Sequence, residues 1–427
     1  MGFADNYLSS RWEIKAELEG KPPDDLGIII VIPCINEANL IKSLQSIKNC
    51  EQPGCSVEVI CVINSSKITP TEVIVQNRQT FSQARDWGIK SSEPGLRFHL
   101  IYQSNLDDKI AGVGVARKIG MDAALERYNQ IDKPDGVIVS FDADATCESN
   151  YLLEIFHFFS IHPSMKGCSI YFEHPIKGND YTDEIYRAIT NYELYLRYYI
   201  QAQRYCNFPY AFHAIGSCFC VRANTYASQG GMNKRKAGED FYFLHKVIPL
   251  GGYSELNTTT VRPSPRPSNR VPFGTGAAVR KMLRQHEEDY YTYQFKSFFI
   301  LKELIDKVDS FYQMDMSQVQ VVINKFDPLL RIFLEDNNWK KKIKEIKDNS
   351  TNLSTFKKRF YTWFSAFRLL KFLNFTISRG IEKIPVDIAS AKLLSYYDVK
   401  QPKKGDAFGL LENYRELQKN EVWSIQA

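Results

Sequence analysis

The feature that most constrains the fold is an alternation of short apolar runs with helix-like segments, which begins at residue 27. Apolar runs of this length are typical of strands buried on both faces of a parallel sheet. Strands that alternate with helices predict a doubly wound α/β fold, in which ligands bind beyond the carboxyl ends of the strands. The four runs are GIIIVIP, VEVICVINSS, LRFHLIYQS and DGVIVSFDAD.

The composition changes at about residue 280. Beyond that point the sequence becomes helical in spacing, lysine-rich and aromatic, with no glycine between Gly276 and Gly380. We therefore predict three parts, because a shift from strand–helix alternation to helical spacing marks a domain boundary. They are an N-terminal extension (1–26), an α/β domain (27–279) and a helical C-terminal region (280–427).

Charge and cysteine content narrow the functional classes. The net charge of +5 over 427 residues is small and predicts no nucleic-acid partner. Nine cysteines without a CxxC pair argue against a disulfide framework and a structural zinc site. The N-terminus lacks the apolar segment of a signal peptide, and no apolar run is long enough to span a bilayer. These features predict a cytoplasmic protein.

An acidic pair, Asp142 and Asp144, ends the fourth predicted strand. Side chains two residues apart in an extended segment point to the same face, so both carboxylates could bind one hard cation such as Mg²⁺ or Mn²⁺. The alternative is an Asp-rich turn whose side chains bond to their own backbone. The pair alone does not decide between the two.

Polar residues also follow the first two predicted strands. Asn36 and Glu37 come after the first strand, and Asn64 and Ser65 after the second. Parallel strand ends share one edge of a sheet, where such groups suit recognition of a base and ribose. The alternative role is local capping of a helix by Asn36.

The helix after the third strand begins with AGVGVARKIG. This is not a dinucleotide fingerprint, because Arg117 stands where the third glycine would be. A glycine-containing helix start with an arginine suits close approach to a nucleotide or its phosphates. A packed helix start with solvated cations is the alternative.

A second acidic pair, Glu239 and Asp240, stands at a predicted helix start, where the helix dipole favours acids. The same position suits a general base. The proline-rich segment that follows carries cations that could bind a leaving diphosphate. The alternative is that these cations are simply solvated. These cations are Arg262, Arg266 and Arg270. His245 is a further candidate metal ligand, although a lone histidine is more often structural.

Taken in order, these motifs resemble the family 2 glycosyltransferases with the GT-A fold, over roughly residues 27–275. The motifs are VIPCINE, VINSS, GVGVARKIG, FDAD and GEDF. The resemblance implies a GT-A-like, Rossmann-related, mixed and mostly parallel sheet with flanking helices, plus an α-helical C-terminal region. It implies inverting transfer of a hexose from a UDP- or GDP-sugar, with Mg²⁺ or Mn²⁺ on the diphosphate.

The resemblance also assigns roles to residues of this sequence. The matched residues are Asp142 and Asp144 for the DxD metal motif, Pro33, Asn36 and Glu37 for the first-strand nucleotide motif, Arg117 for the nucleotide-side arginine, and Asp240 for the general base with Glu239 beside it. Asn64 departs from the family, which usually has an aspartate there, so the nucleotide stays open. No QxxRW follows Asp240, which argues against processive polymer synthesis.

The C-terminal region is basic, with ten Lys and Arg against two acids over residues 340–372. We interpret it first as packed helices whose lysines lie in water. The alternative is a peripheral contact with the inner membrane face through residues 355–379. The acceptor is accordingly a sugar, a lipid or a small hydroxyl compound.

Two other functions compete with glycosyl transfer. A sugar-phosphate nucleotidyltransferase needs a glycine-rich loop with Arg and Lys after the first strand, and PCINEANL lacks it. A catalytically silent nucleotide-sugar-binding protein, with a membrane-surface C-terminal helix, does not need the acids Asp142, Asp144 and Asp240.

Overall fold

The computed structural model describes residues 2–16, 18–270, 274–285, 289–397 and 405–426. The chain forms two compact units. The first comprises Met1–Tyr186, Ala214–Arg280 and Gln418–Ala427, and the second comprises Arg187–His213 and Lys281–Leu417.

The strands are β1 (Leu26–Cys34), β2 (Ser56–Ser66), β3 (Leu96–Leu106), β4 (Val137–Ser140), β5 (Thr146–Cys147), β6 (Gly167–Phe172), β7 (Phe219–Arg222), β8 (Tyr253–Arg262), β9 (Tyr291–Thr292), β10 (Ile384–Pro385) and β11 (Ser424–Ile425).

The helices of the first half are α1 (Asp5–Arg11), α2 (Leu40–Lys48), α3 (Thr71–Ser91), α4 (Val113–Gln130), α5 (Tyr151–Ile161), α6 (Asp183–Tyr205), α7 (Ala223–Ser228) and α8 (Glu239–Val247), the last followed by a 3₁₀ turn (Ile248–Leu250). The later helices are α9 (Thr275–Gln285), α10 (Phe295–Ile305), α11 (Val308–Gln313), α12 (Met316–Ile323), α13 (Pro328–Asp336), α14 (Trp339–Asp348), α15 (Leu353–Trp363), α16 (Ala366–Ser378), α17 (Val386–Leu394) and α18 (Ala407–Asn420).

One mixed sheet forms the core of the first unit, in the order β11-β8-β6-β7-β4-β1-β2-β3, with β5 paired to β8. The β1–β2, β2–β3, β1–β4 and β6–β8 ladders are parallel, whereas β7 runs antiparallel to both β4 and β6. The prediction of a mixed, mostly parallel sheet with flanking helices and a helical C-terminal region is therefore confirmed.

The first predicted strand lies in the interior of this sheet. Every residue of β1 except Gly27 is buried, because β2 and β4 flank the strand and α4 packs on β1 and β2. Each buried isoleucine of such a strand contributes about 1.5–3 kcal/mol. The carboxyl ends of β1, β2 and β4 consequently reach the same edge, as expected for parallel neighbours.

Helix α1 packs on α4 through a buried polar cluster. The Tyr7 hydroxyl donates to Asp122 Oδ1 (2.8 Å), and Lys118 Nζ donates to Asp122 Oδ2 (2.8 Å) and to Tyr7 Oη (2.9 Å). Burial raises the pKa of Asp122, while Lys118 opposes that shift. The first residues of the chain are thus tied to the helix that carries Arg117.

The second unit consists mainly of helices, with β9 and β10 as a short antiparallel pair. Trp339 of α14 packs against Phe360 and Trp363 of α15, with ring centroids 6.2 and 5.5 Å apart. Glu193, fully buried, accepts from Arg197 and Arg415 at 2.8 Å each. No helix of the described residues is long and apolar enough to cross a membrane.

Candidate functional site

The loop after β1 is fixed by side chains of α3. Asn36 has a left-handed backbone (φ 48°), and its N–H donates to Asn77 Oδ1 (2.8 Å). The Thr80 hydroxyl donates to the carbonyl of Glu37 (2.9 Å). Asn tolerates this conformation well, so the loop holds Glu37 in a defined place. Pro33 lies within β1, buried and paired with Val62.

Asn64 is buried near the carboxyl end of β2, and its side chain has one satisfied and one unsatisfied group. Its Nδ2 donates to the Gly112 carbonyl (3.0 Å), and its backbone carbonyl accepts from Asn77 Nδ2 (3.3 Å). Its Oδ1 is buried and has no hydrogen-bond partner. A buried oxygen without a donor costs roughly 1–3 kcal/mol, which a ligand N–H would recover. Ser65 beside it is also buried.

Arg117 contacts one acid of each of the two acidic motifs. Its guanidinium, 2% exposed, donates to Asp142 Oδ1 (3.0 Å) and to Glu239 Oε1 (3.1 Å). It also bonds to the Ser140 hydroxyl and to the Gly216 carbonyl (3.0 Å). Burial lowers its pKa, but the neighbouring carboxylates outweigh burial and the net shift is upward. Arg117 is therefore a permanent cation that fixes two acids.

The DxD carboxylates have different surroundings. Burial raises the pKa of Asp142, and the charges of Asp144 and Glu239 add to that rise, against the opposite effect of Arg117. Asp144 Oδ2 accepts from Arg270 Nη2 (3.0 Å) and from Arg266 Nη2 (3.3 Å). Asp142 thus belongs to the Arg117 cluster, and Asp144 to the arginines of the proline-rich segment.

Arg266 and Arg270 link Asp144 to the first-strand loop. Both also bind Glu37, which is fully buried; Arg270 Nη1 lies 3.3 Å from Glu37 Oε2, and Arg266 makes a shorter contact with the same oxygen. Arg262 is placed elsewhere: it pairs with Glu148 (2.7 Å) where β8 meets β5. Two of the three predicted arginines therefore contact this group of acids directly. We call the group the acidic edge, and it consists of Glu37, Asp142, Asp144, Glu239 and Asp240.

Asp240 is the second residue of helix α8, which begins at Glu239. Its Oδ1 accepts from the Phe241 N–H (2.7 Å). Burial raises the pKa of Asp240 to about 7, and the Glu239 carboxylate adds to the rise, while Arg117 opposes it. A carboxyl with this pKa exchanges protons near neutrality, which suits a general base.

Gly216 allows this cluster to form. A Cβ at that position would lie 2.7 Å from Arg117 Nη2 and 3.3 Å from Asp240 Oδ2. Any larger residue would push on the guanidinium. A second close approach lies at the start of α4, where a Cβ on Gly114 would lie 2.1 Å from the Arg235 carbonyl. The segment before α8 is thus packed on the start of α4.

His245 lies one turn beyond Phe241 and stacks on its ring, with centroids 5.9 Å apart. Burial lowers its pKa. Within the described ranges, no group of three or more His, Cys, Asp or Glu side chains is arranged to hold a metal. Metal binding by Asp142, Asp144 and His245 stays a prediction.

Four contributors were not anticipated from the sequence. Asn77 and Thr80 project from α3, where helical spacing gives no sign of loop contacts, and Ser140 is the last residue of a buried strand. Gly216 carried the only available signal, since a glycine just before a strand is a common site of close approach.

Neither protein-family models nor curated proteins give a match to the sequence. Among solved structures, S. aureus TarS 1-349 aligns with a TM-score of 0.35 at 13% identity, over 92% of this chain and 90% of that chain. Its complex with UDP-GlcNAc gives 0.36 at 14%, with the same coverage. The mannosyltransferase PcManGT from Pyrobaculum calidifontis, in complex with GDP-Man and Mn²⁺, gives 0.35 at 12%, over 96% and 86%. TM-scores this low do not support a functional assignment, which therefore rests on the side chains of the site.

Proposed function

We propose that this chain is an inverting glycosyltransferase that moves a hexose from a nucleotide-diphosphate sugar to an acceptor hydroxyl. The observation that carries the proposal is the convergence of two acidic motifs on one buried guanidinium. Arg117 binds Asp142 at 3.0 Å and Glu239 at 3.1 Å. Metal-dependent inverting transfer uses an acid pair for the cation on the diphosphate and a proton-accepting carboxylate within one site.

The base and ribose of the donor would be bound at the ends of β1 and β2. The buried, unpartnered Oδ1 of Asn64 can accept a hydrogen bond from a ring N–H. Uracil and guanine both carry such a donor, so this atom supports either a UDP- or a GDP-sugar. Asn36 is exposed beside it and Ser65 is buried, and both offer further polar groups.

The diphosphate would be bound by Arg266 and Arg270 and, through a cation, by Asp142 and Asp144. Two carboxylates and phosphate oxygens form the hard oxygen ligand set that Mg²⁺ and Mn²⁺ prefer. A cation there would supply Lewis-acid stabilisation of the leaving diphosphate. Arg266 and Arg270 already contact Asp144, and they can donate charge-assisted hydrogen bonds to phosphate oxygens.

Asp240 would act as the general base. The acceptor oxygen forms a bond to the anomeric carbon while the bond from that carbon to the diphosphate oxygen breaks. The acceptor proton goes to the Asp240 carboxylate, and the bonding electron pair leaves with the diphosphate. A single displacement inverts the anomeric centre. The pKa of about 7 leaves a useful fraction ionised at neutral pH.

The test is release of UDP or GDP from a panel of nucleotide sugars, with Mn²⁺ or Mg²⁺ and a set of hydroxyl acceptors. We expect metal-dependent release with at least one donor, and its loss in Asp144→Asn. Asp180→Asn is the matched control, since Asp180 is 75% exposed and paired only weakly with Lys42. Absence of metal-dependent turnover with every donor would sink the proposal. Release of pyrophosphate from a nucleoside triphosphate and a sugar phosphate would instead indicate a nucleotidyltransferase.

A further inference from the structure

The second unit contains a cavity of about 810 Å³ formed by residues of α14, α15 and the start of α16. Its size falls within the range of about 300–1,000 Å³ that is usual for small-molecule sites. All of its lining residues belong to one compact unit. The cavity is therefore a property of the helical region alone.

The cavity lining is strongly cationic. Its charged residues are Lys342, Lys358, Arg359, Arg368, Lys371 and Glu345. Glu345 pairs with Lys342 at 2.7 Å. In the described part of the chain, no carboxylate lies within ion-pairing distance of the other four cations. Four positive charges thus converge on a concave surface without a protein counterion.

Arg368 is the most informative of these cations. Its guanidinium lies over the ring of Trp363, 4.4 Å from the centroid. Its Nη1 is buried and has no hydrogen-bond partner, and burial lowers its pKa. A buried donor without an acceptor is costly, and an anion in the cavity would satisfy it.

The start of helix α16 in the cavity wall also favours an anionic ligand. Helix α16 begins at Ala366, and its N-cap Ser365 lines the cavity without making a side-chain capping bond. The first turn of α16 contains no acid. The positive end of the helix dipole therefore adds to the cations.

We propose that this cavity is a binding site for a phosphate group carried by a small molecule or a lipid headgroup. Several cations around an arginine fork favour a multiply charged tetrahedral anion over a single carboxylate. The proposal does not depend on glycosyl transfer, because no residue of the acidic edge takes part. Both sources share the phosphate chemistry, and the test separates them.

The first arm measures binding of inorganic phosphate to the full chain by calorimetry, with chelator present and sodium chloride at equal ionic strength as reference. We expect one site on the wild type, weakened about tenfold in Arg368→Gln and about threefold in Lys371→Gln. Lys371 is exposed, so the second variant guards against misfolding of the first.

Two matched variants locate the site. Lys357→Gln removes one charge next to Lys358 on the same helix, but Lys357 pairs with Asp309 and does not line the cavity. Arg85→Gln removes an exposed cation from the other unit. We expect both to bind phosphate as the wild type does.

The second arm measures co-sedimentation with vesicles of phosphatidylglycerol in phosphatidylcholine, against pure phosphatidylcholine. Loss of anionic-vesicle binding in Arg368→Gln, but not in Lys357→Gln, would support a lipid headgroup as the source. Phosphate binding without vesicle binding would support a soluble phosphorylated ligand. Equal losses in Arg368→Gln and Lys357→Gln, sensitivity to Arg85→Gln alone, or no binding in either arm would overturn the proposal.

Discussion

The two units place an arginine in opposite surroundings. Arg117 of the first unit has two carboxylates, a hydroxyl and a carbonyl as partners. Arg368 of the second has an aromatic ring on one side and a buried Nη1 with no partner. A compensated arginine orients acids, whereas an uncompensated one is poised for an external anion. The same residue type therefore indicates an organised reaction centre in one case and a receptive pocket in the other.

The largest expected effect concerns the carboxylate that Arg117 helps to organise. Asp240→Asn should lower kcat by about 10²–10⁴-fold, the usual contribution of a general base. In the wild type, kcat/KM should rise with pH through about 7, because Asp240, whose pKa burial raises to about 7, must be ionised to accept the proton. A pH–rate profile of both proteins measures this. An unchanged profile in Asp240→Asn would remove Asp240 from the base role.

The second effect tests how much the ion pairs of Arg117 with Asp142 and Glu239 contribute to stability. Arg117→Gln should lower the free energy of unfolding by about 3–5 kcal/mol, because it leaves Asp142 and Glu239 without their cation. Denaturant unfolding measures the change. Arg85→Gln is the control, since Arg85 is 56% exposed and should change stability by about 0.5 kcal/mol or less.

A double substitution makes the same comparison sharper. Arg117→Gln with Asp142→Asn should be less destabilising than the sum of the two single changes, because both members of one pair are removed. A loss below about 1 kcal/mol in Arg117→Gln alone would show that the acids do not depend on this arginine.

The third effect is the pH dependence of stability. The pKa of Asp240 in the folded protein, about 7, lies above the ordinary value of 3.8 because burial disfavours the ionised form. The stability contribution of protonated Asp240 is therefore complete below about pH 4 and is lost as pH rises through about 7. Between these values the wild type should lose about 2 kcal/mol relative to Asp240→Asn. Parallel pH curves for the two proteins would contradict the raised pKa.

The fourth effect concerns the close approach at Gly216. Gly216→Ala should destabilise the protein by about 1–3 kcal/mol through overpacking against Arg117. It should also lower activity, because the added Cβ would lie 3.3 Å from Asp240 Oδ2. Gly88→Ala is the control. Gly88 lies in α3, where alanine is favoured, and a Cβ there would lie 3.2 Å from Phe98 Cβ. Equal effects of the two substitutions would argue against a special role for Gly216.

The positions of the acids along the strands and helices were predictable from the sequence because the signals are local, and the roles of these acids stay predictions. Apolar runs locate strands, although β4 ends at Ser140, so that Asp142 and Asp144 lie two and four residues beyond it and not within the strand as predicted. Asp240 is the second residue of α8. The pairing of Glu37 with Arg266 was not predictable, because the two are 229 residues apart and no periodicity links them. The pair forms only because the proline-rich segment reaches the loop after β1.

The cationic cavity could not be predicted for a different reason. Lysines and arginines at helical spacing look the same in sequence whether they lie in water, against a membrane or around a concavity. Only the packing of α14, α15 and α16 distinguishes these cases, and it depends on aromatic contacts such as Trp339 with Trp363. The charge of residues 340–372 was thus visible in the sequence, and its geometry was not.

The smallest expected effect completes the comparison of the two arginines. Arg368→Gln should change the free energy of unfolding by less than about 1 kcal/mol, because the loss of the contact with Trp363 is offset by removal of a half-buried, uncompensated charge. Denaturant unfolding in low and high sodium phosphate measures it. Phosphate should stabilise the wild type and not the variant, since a ligand stabilises only the protein that binds it. A loss as large as that of Arg117→Gln would show that Arg368 is a structural arginine and not a ligand-binding one.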